Sequence, residues 1–227
     1  MSVTEGLIFG RAIARRRAAL KSHFDVRKQF EEIEESCIPS YVHGNLLAAW
    51  VAWQRTRAAA ALYDRHAPAG PILDFGAATG EVGHLIDKRG SYTIIEQDGV
   101  LAGACTRWQQ ADRTTLDEAE PARFAAIFAL DSLEHNDDIA DLVGKLLRLL
   151  RSDGVFILSG PTESSLYKLG RRIAGFSGHY HHSNIYDIEK LVEPHARLVA
   201  VKQVPIVGTL FRVTAWTLRD AGRAGQK

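Results

Sequence analysis

The chain has 227 residues, 46% of them hydrophobic, which suits one α/β domain with an elaboration better than two full domains. Its formal charge of +1 gives no global case for nucleic acid or an acidic polymer as partner. Cys37 and Cys105 lack metal-ligand spacing, no apolar run approaches the roughly 18 residues of a membrane span, and the arginine-rich start lacks the apolar core of a signal peptide, so a cytoplasmic protein with reduced thiols is expected.

Ser2-Val-Thr-Glu5 has the form of a capping box, and a helix is expected to follow with Leu7, Ile8, Ile13, Leu20 and Phe24 as a loose apolar stripe. Arg11, Arg15, Arg16, Arg17 and Lys21 would cover the rest. Two readings stay open: a solvated helix over the core domain, or a basic amphipathic helix within 1–28 touching a membrane surface or acidic partner. Glu31, Glu32, Glu34 and Glu35 read as a solvated acidic face, broken by Ile38-Pro39-Ser40. A second helix is predicted from about Asn45 to Arg65, with Leu46, Leu47, Trp50, Val51 and Trp53 on a broad apolar face. Pro68-Ala-Gly-Pro71 ends this helical region, giving an expected division into a cover, 1–69, and a sheet domain, 70–227.

The stretch Gly70 to Gly83, GPILDFGAATGEVG, organises the chain. Ile72 and Leu73 end a buried strand, Asp74 closes it, and Gly76, Ala78 and Gly80 form a tight turn. Glu81, Val82 and Gly83 are expected to open a helix through Leu85 and Ile86. Small residues let a backbone approach a ligand closely, and a helix N-terminus offers free N–H groups, so a nucleotide-like ligand is expected. A dinucleotide fingerprint would place glycine at Gly76, Ala78 and Glu81, and Glu81 is bulky and anionic where a pyrophosphate would sit. No Gly-Lys-Ser/Thr follows, as a P-loop needs, and Asp74 would repel a diphosphate.

ILDFGAATGEVG resembles motif I of the class I S-adenosylmethionine-dependent methyltransferases, hydrophobic-Asp-x-Gly-x-Gly-x-Gly, with Ala78 in the middle glycine place. The resemblance implies a Rossmann-like α/β fold: a mostly parallel seven-stranded sheet with helices on both faces and a helical N-terminal cover. It also implies S-adenosylmethionine as cofactor, a sulfonium cation that suits an acidic turn. Asp74, Gly76, Ala78 and Gly80 become cofactor-binding candidates, and Tyr41 and His43, before motif I, become candidates for the substrate entrance.

Downstream, Ser91 to Glu96 reads as a second strand, with Glu96 twenty residues after Gly76, where a carboxylate can accept both hydroxyls of a ribose. The resemblance gives Glu96 the same role, and Gln97 follows it. A third strand is placed near Arg107 to Gln110, and similar enzymes make Asp112 the candidate for the adenine amino group, with Asp117 close by. Phe124 to Leu130, FAAIFAL, is a strand buried on both faces. Asp131-Ser-Leu-Glu-His135 then resembles motif IV of the small-molecule methyltransferases, nearest the ubiquinone-pathway O-methyltransferases. This places Leu130, Asp131 and Ser132 beside the methionyl part of the cofactor. His135 is the candidate general base, because imidazole titrates near neutrality; the rival role for Glu134 and His135 is to hold the loop.

Asp137 and Asp138 suit the start of a helix with Ile139, Leu142, Val143, Leu146, Leu147 and Leu150 inside. Ser152-Asp-Gly154 is expected to turn the chain into a fifth strand, Val155 to Ser159. The segment Gly160 to Ser183 lies where the family often builds its acceptor site. Its apolar-basic mix over 161–178 suits an amphipathic helix on the sheet, a membrane surface, or a lipid-like acceptor. His179, Tyr180 and His182 are acceptor-binding candidates; no acidic or cysteine partner completes a metal site with the histidines, so no metal is expected. A short helix over Asp187 to Glu193, two closing strands, Leu198 to Val204 and Phe211 to Leu218, and a frayed tail complete the chain. The function implied is methyl transfer to a small-molecule or lipid-linked acceptor, at oxygen, with no nucleic acid involved. Two rivals remain on the sequence alone: a silent methyltransferase-like binding scaffold, and a nicotinamide-dependent oxidoreductase.

Overall fold

The computed structural model describes residues 3–26, 28, 29, 33, 36–162, 184–205 and 208–219. The acidic run of Glu31, Glu32, Glu34 and Glu35, the cap residue Ser2, the candidates His179, Tyr180 and His182, and most of the tail lie outside them.

The single N-terminal helix expected from the sequence is two, α1 (Val3–Phe9) and α2 (Arg11–His23), parted at Gly10 with φ 77°. A positive φ suits glycine and ends a helix. α2 buries Ile13, Arg16, Arg17 and Leu20, so both arginines lie on the apolar stripe. The Arg17 guanidinium lies 4.4 Å from the centre of the Phe9 ring and donates to the Tyr41 carbonyl, tying the cover together. Ile38-Pro39-Ser40 starts a helix rather than only interrupting one: α3 spans Ile38–Val42, and proline's fixed φ suits a first turn. α4 runs Leu46–His66, close to the predicted bounds, with the Asn45 side chain accepting from Leu47 N–H at 3.0 Å and from Ala48 N–H at 3.4 Å.

α4 joins two cores. Ala49, Ala52 and Trp53 pack with Phe9, Ile13, Leu20 and Tyr41 in the cover. Ala58, Ala59, Leu62 and Tyr63 pack under the sheet with Ile72, Ile94, Phe128 and Ile157. The sheet contains β1 (Ile72–Phe75), β2 (Tyr92–Ile95), β3 (Asp112–Arg113), β4 (Phe124–Leu130), β5 (Leu150–Pro161), β6 (Ala196–Val204) and β7 (Phe211–Leu218), in the order β3-β2-β1-β4-β5-β7-β6. β7 runs antiparallel to β5 and β6, and the remaining pairs are parallel, as expected from the alternating strands and helices. Side chains alternate across each strand. Leu73, Phe75, Ile127, Phe156 and Leu158 therefore face the opposite core, filled by α6 (Ile139–Leu149) and α7 (Ile185–Val192). The Asp138 side chain caps α6 by accepting from Asp141 N–H at 3.0 Å.

Three expectations need correction. No regular helix follows the Gly76 turn; residues 76–86 form successive turns, with His84 N–H bonding to Glu81 O and Leu85 N–H to Val82 O. Gly80 at φ 76° keeps the backbone turning, and Gly83 lies so close to the Tyr92 ring that a Cβ there would come within 2.7 Å. Second, Arg107 and Gln109 belong to α5 (Gly99–Gln109), which ends at left-handed Gln110; the third strand is only Asp112–Arg113. Third, Ser152–Gly154 is taken up inside β5 as an irregularity in its pairing with β4 between Phe124 and Ala126. Among the described residues, no helix is long and apolar enough to cross a membrane.

Candidate active site

The C-terminal ends of parallel strands leave a crevice where a sheet reverses its strand order, and ligands bind there. In this sheet β1 lies between β2 and β4, and a cavity of about 400 Å³ opens beyond their ends. The motif I turn forms one wall. Gly76, Ala78 and Gly80 take φ values of 67°, 46° and 76°, so Ala78 adopts the left-handed conformation for which the motif uses glycine. Gly76 passes so close to Ser132 that an added Cβ would meet the serine Cβ at 2.4 Å. Ser132 Oγ also donates to the Phe75 carbonyl at 3.0 Å, which locks the motif I turn to the loop after β4.

Glu96, just past the end of β2, faces the turn. Its Oε2 accepts from Ala78 N–H at 2.7 Å and its Oε1 from Asp98 N–H at 3.0 Å. Each carboxylate oxygen keeps a further lone pair for a ligand hydroxyl. Asp98 caps α5 by accepting from Val100 and Leu101 N–H. Gln97 also lines the cavity and is exposed.

Across the cavity, Leu130, Asp131, Ser132, His135 and Asn136 come from the end of β4 and the following loop. Asp131 has φ 49° and is paired with Arg55 of α4, with Ser159 Oγ donating to it at 3.2 Å. Burial is the largest influence on Arg55 and works against its charge, but Asp131, Cys37 and Tyr41 together outweigh it and raise the guanidinium's affinity for its proton. The cover supplies Ser36, Cys37 and Tyr41 to the same wall. Tyr41 hydroxyl shares a 2.9 Å hydrogen bond with Thr56, and burial pushes the Cys37 thiol up to about 11, so no thiolate is available there at neutral pH.

The cavity is acidic. Asp74, Glu81, Glu96, Asp98 and Asp131 line it, and no lysine or arginine does among the described residues. Such walls favour a cationic ligand with hydroxyls and disfavour a diphosphate. Asp74 is buried and accepts from Tyr92 hydroxyl at 2.5 Å. Burial raises its pKa to about 7, the Tyr92 bond opposing and Glu81 and Glu96 adding to the rise.

A family model described as a methyltransferase domain matches residues 50–193. The chain belongs to this methyltransferase family. It is an S-adenosylmethionine-dependent enzyme with the class I fold. Similar solved structures include magnesium protoporphyrin IX methyltransferase of Synechocystis PCC 6803 with bound S-adenosylhomocysteine, with a TM-score of 0.59, 15% identity, and coverage of 78% of this chain and 88% of that one. The N-methyltransferase NodS of Bradyrhizobium japonicum WM9, in complex with S-adenosylhomocysteine, gives 0.59, 13%, 75% and 88%. The 1,6-didemethyltoxoflavin-N1-methyltransferase of Burkholderia thailandensis gives 0.55, 19%, 85% and 90%. No curated protein gives a significant match.

The methyltransferase cavity gathers Tyr41, Asp74, Gly76, Ala78, Glu96, Gln97, Leu130, Asp131, Ser132 and His135. Gly80 supports the turn from behind, against Cys105 and Gln109. His43 is outside the lining; its ring accepts from Asn45 N–H at 3.0 Å and its carbonyl accepts from Arg17. Asp112 is also outside, because α5 runs on to Gln109 and delivers Asp112 opposite Thr93, short of the cavity end of β2. Asp117, too, is absent from the lining. The sequence reading missed Cys37 and Asn136 in the wall, and Arg16 and Arg55 behind it. The spacing of Arg16 and Arg17 between Ile13 and Leu20 was the available signal for buried arginines.

The Asp74 carboxyl predicts a pH dependence of stability. An unfolded aspartate takes up its proton below about 3.9, and the folded one below about 7, so folding binds a proton between these values. The Asp74 contribution is complete at the acid end and is lost as pH rises through 7. Urea denaturation should show Asp74→Asn gaining stability relative to the parent chain between pH 5 and pH 8, by on the order of 1–3 kcal/mol.

Proposed function

We propose that this enzyme transfers the methyl group of S-adenosylmethionine to a hydroxyl of a small-molecule acceptor, with the cofactor held in the cavity between the Gly76 turn and the Asp131–His135 loop. The observation that carries this reading is the Glu96 carboxylate, aimed at the left-handed turn inside a cavity whose charged side chains are acidic. Glu96 would hold the ribose diol, and Gln97 would stand beside it. Asp74, Gly76 and the Leu130–Ser132 segment would hold the amino-acid end, where Asp74 suits an ammonium group. When bound, the cofactor supplies a sulfonium-activated methyl carbon.

The protein's own task is then alignment and exclusion of water. Gly76 and Ser132 pack against each other in the cavity wall, and Leu130 adds an apolar surface. With the donor bound, the acceptor hydroxyl would have to lose its proton as it takes the methyl group, and an imidazole nitrogen of His135 would receive that proton. His135 is exposed and lines the cavity, which supports this role. The acceptors named for the similar structures are varied while the fold is shared, so the fold alone does not select an acceptor. A lipid-linked acceptor, or membrane contact through 161–178, rests mainly on residues 163–178, outside those described. In the other segment considered for such contact, 1–28, Arg16 and Arg17 are buried while Arg11, Arg15 and Lys21 stay outside.

Calorimetry tests the cofactor half. The parent chain should bind S-adenosylhomocysteine, and Glu96→Ala should weaken it by roughly 10–100-fold with folding intact by circular dichroism. Unchanged affinity would reject the Glu96 assignment. Methyl transfer from labelled cofactor to a panel of phenols, catechols and amines tests the acceptor half. His135→Asn should lower kcat by roughly 10²–10⁴ with the hydroxyl acceptors at neutral pH, and an acceptor set confined to amines would overturn the oxygen assignment.

A further inference from the structure

The motif I turn is held from outside the domain it belongs to. Where a helix would ordinarily follow and organise the backbone amides, residues 80–86 make only successive turns. A glycine turn with three left-handed residues and no following helix needs support beyond what Ser132 and Glu96 give it at Gly76 and Ala78. The missing support comes from α2. Arg16 Nε and Nη2 donate to Glu81 Oε1 at 2.9 and 2.6 Å, and Nη2 also donates to the Thr79 carbonyl at 2.9 Å. Thr79 Oγ1 donates to the other Glu81 oxygen at 2.6 Å. Arg16, Thr79 and Glu81 are all buried, and the guanidinium lies 4.2 Å from the centre of the Trp108 ring.

We propose that Arg16 is a positioning residue for the cofactor. It fixes the carbonyl of Thr79 and the carboxylate of Glu81, and through them the turn that Gly76 and Ala78 present to the cavity. The inference rests on the reading that this turn holds S-adenosylmethionine. It adds that cofactor affinity depends on a side chain in the N-terminal cover, ahead of the matched residues 50–193. The planar fork of arginine matters, because one guanidinium reaches both Glu81 and Thr79; an ammonium would serve as a point charge. Arg16 therefore acts on cofactor binding and leaves the acceptor chemistry at His135 alone.

The test uses the full chain with Arg16→Met, Arg16→Lys and Glu81→Gln, reading the Kd of S-adenosylhomocysteine by calorimetry together with KM and kcat for S-adenosylmethionine. Arg16→Met should raise Kd and KM roughly tenfold or more, about the loss of one charge-assisted hydrogen bond, with kcat within about twofold of the parent. Arg16→Lys should recover part of the affinity, and Glu81→Gln should fall between the two. A merely structural arginine would lower the melting temperature and leave Kd unchanged at a temperature where the variant is folded; that result overturns the proposal. If Arg16→Met does not fold, Arg16→Lys and Glu81→Gln decide it, with parental Kd in both as the refuting result. Absence of binding by the parent chain itself would instead defeat the reading of the cavity on which the proposal rests.

Discussion

Everything at the site depends on holding one strained turn open. Gly76, Ala78 and Gly80 all sit at positive φ, and Ala78 does so against the roughly 1–2 kcal/mol preference of an L-residue. Such a turn persists only where its surroundings over-determine it. Three contacts do so here. Ser132 closes against Gly76, Glu96 accepts the Ala78 N–H, and Arg16 grips Glu81 and Thr79. They come from the loop after β4, the end of β2 and the N-terminal cover, so the turn is assembled by tertiary structure and not by its own sequence. Removing one partner of a buried ion pair such as Arg16–Glu81 costs on the order of 3–5 kcal/mol, enough to matter to a domain of ordinary stability.

Charge placement follows a consistent plan. The cavity walls carry carboxylates, and the arginines that offset two of them stand behind the walls, Arg16 against Glu81 and Arg55 against Asp131. Both arginines belong to helices of the N-terminal region, α2 and α4. This arrangement lets the carboxylates stay in a buried setting without placing a cation where the ligand's own positive charge would lie. Asp74 takes the other solution to burial, holding its proton to near neutrality beside Tyr92. A ligand bearing an ammonium or sulfonium would favour its charged form. The same walls would repel a pyrophosphate, which separates this cavity from a dinucleotide site built on a similar sheet.

Much of this was legible in the sequence, and the reasons are local. FAAIFAL could only be a doubly buried strand, and its ends agree with β4. Asn45 and Asp138 announced helix starts, and both cap as expected. The spacing from Gly76 put Glu96 at the end of the second strand, and it lines the cavity there, because a parallel βαβ unit fixes where its second strand ends. What the sequence hid was decided by long-range packing. Glu81 reads as a helix opener, yet Arg16, distant in sequence, takes its carboxylate. Asp112 reads as a strand-end acid, yet α5 uses up the residues that would have carried it to the cavity. Arg55 lies in an alanine-rich helix that gives no sign of a buried charge until its partner Asp131 is placed beside it. Cys37, at the start of α3, reaches the wall where the sequence suggested only a break.

The most direct test of the central claim is a crystal structure of the full chain grown with S-adenosylhomocysteine. The account predicts density for the nucleoside between the Gly76 turn and the loop after β4, with both ribose hydroxyls about 2.6–3.0 Å from the Glu96 carboxylate oxygens and the Arg16–Glu81 pair intact. Density for the nucleoside elsewhere, or in the cavity with Glu96 turned away from the sugar, would contradict it.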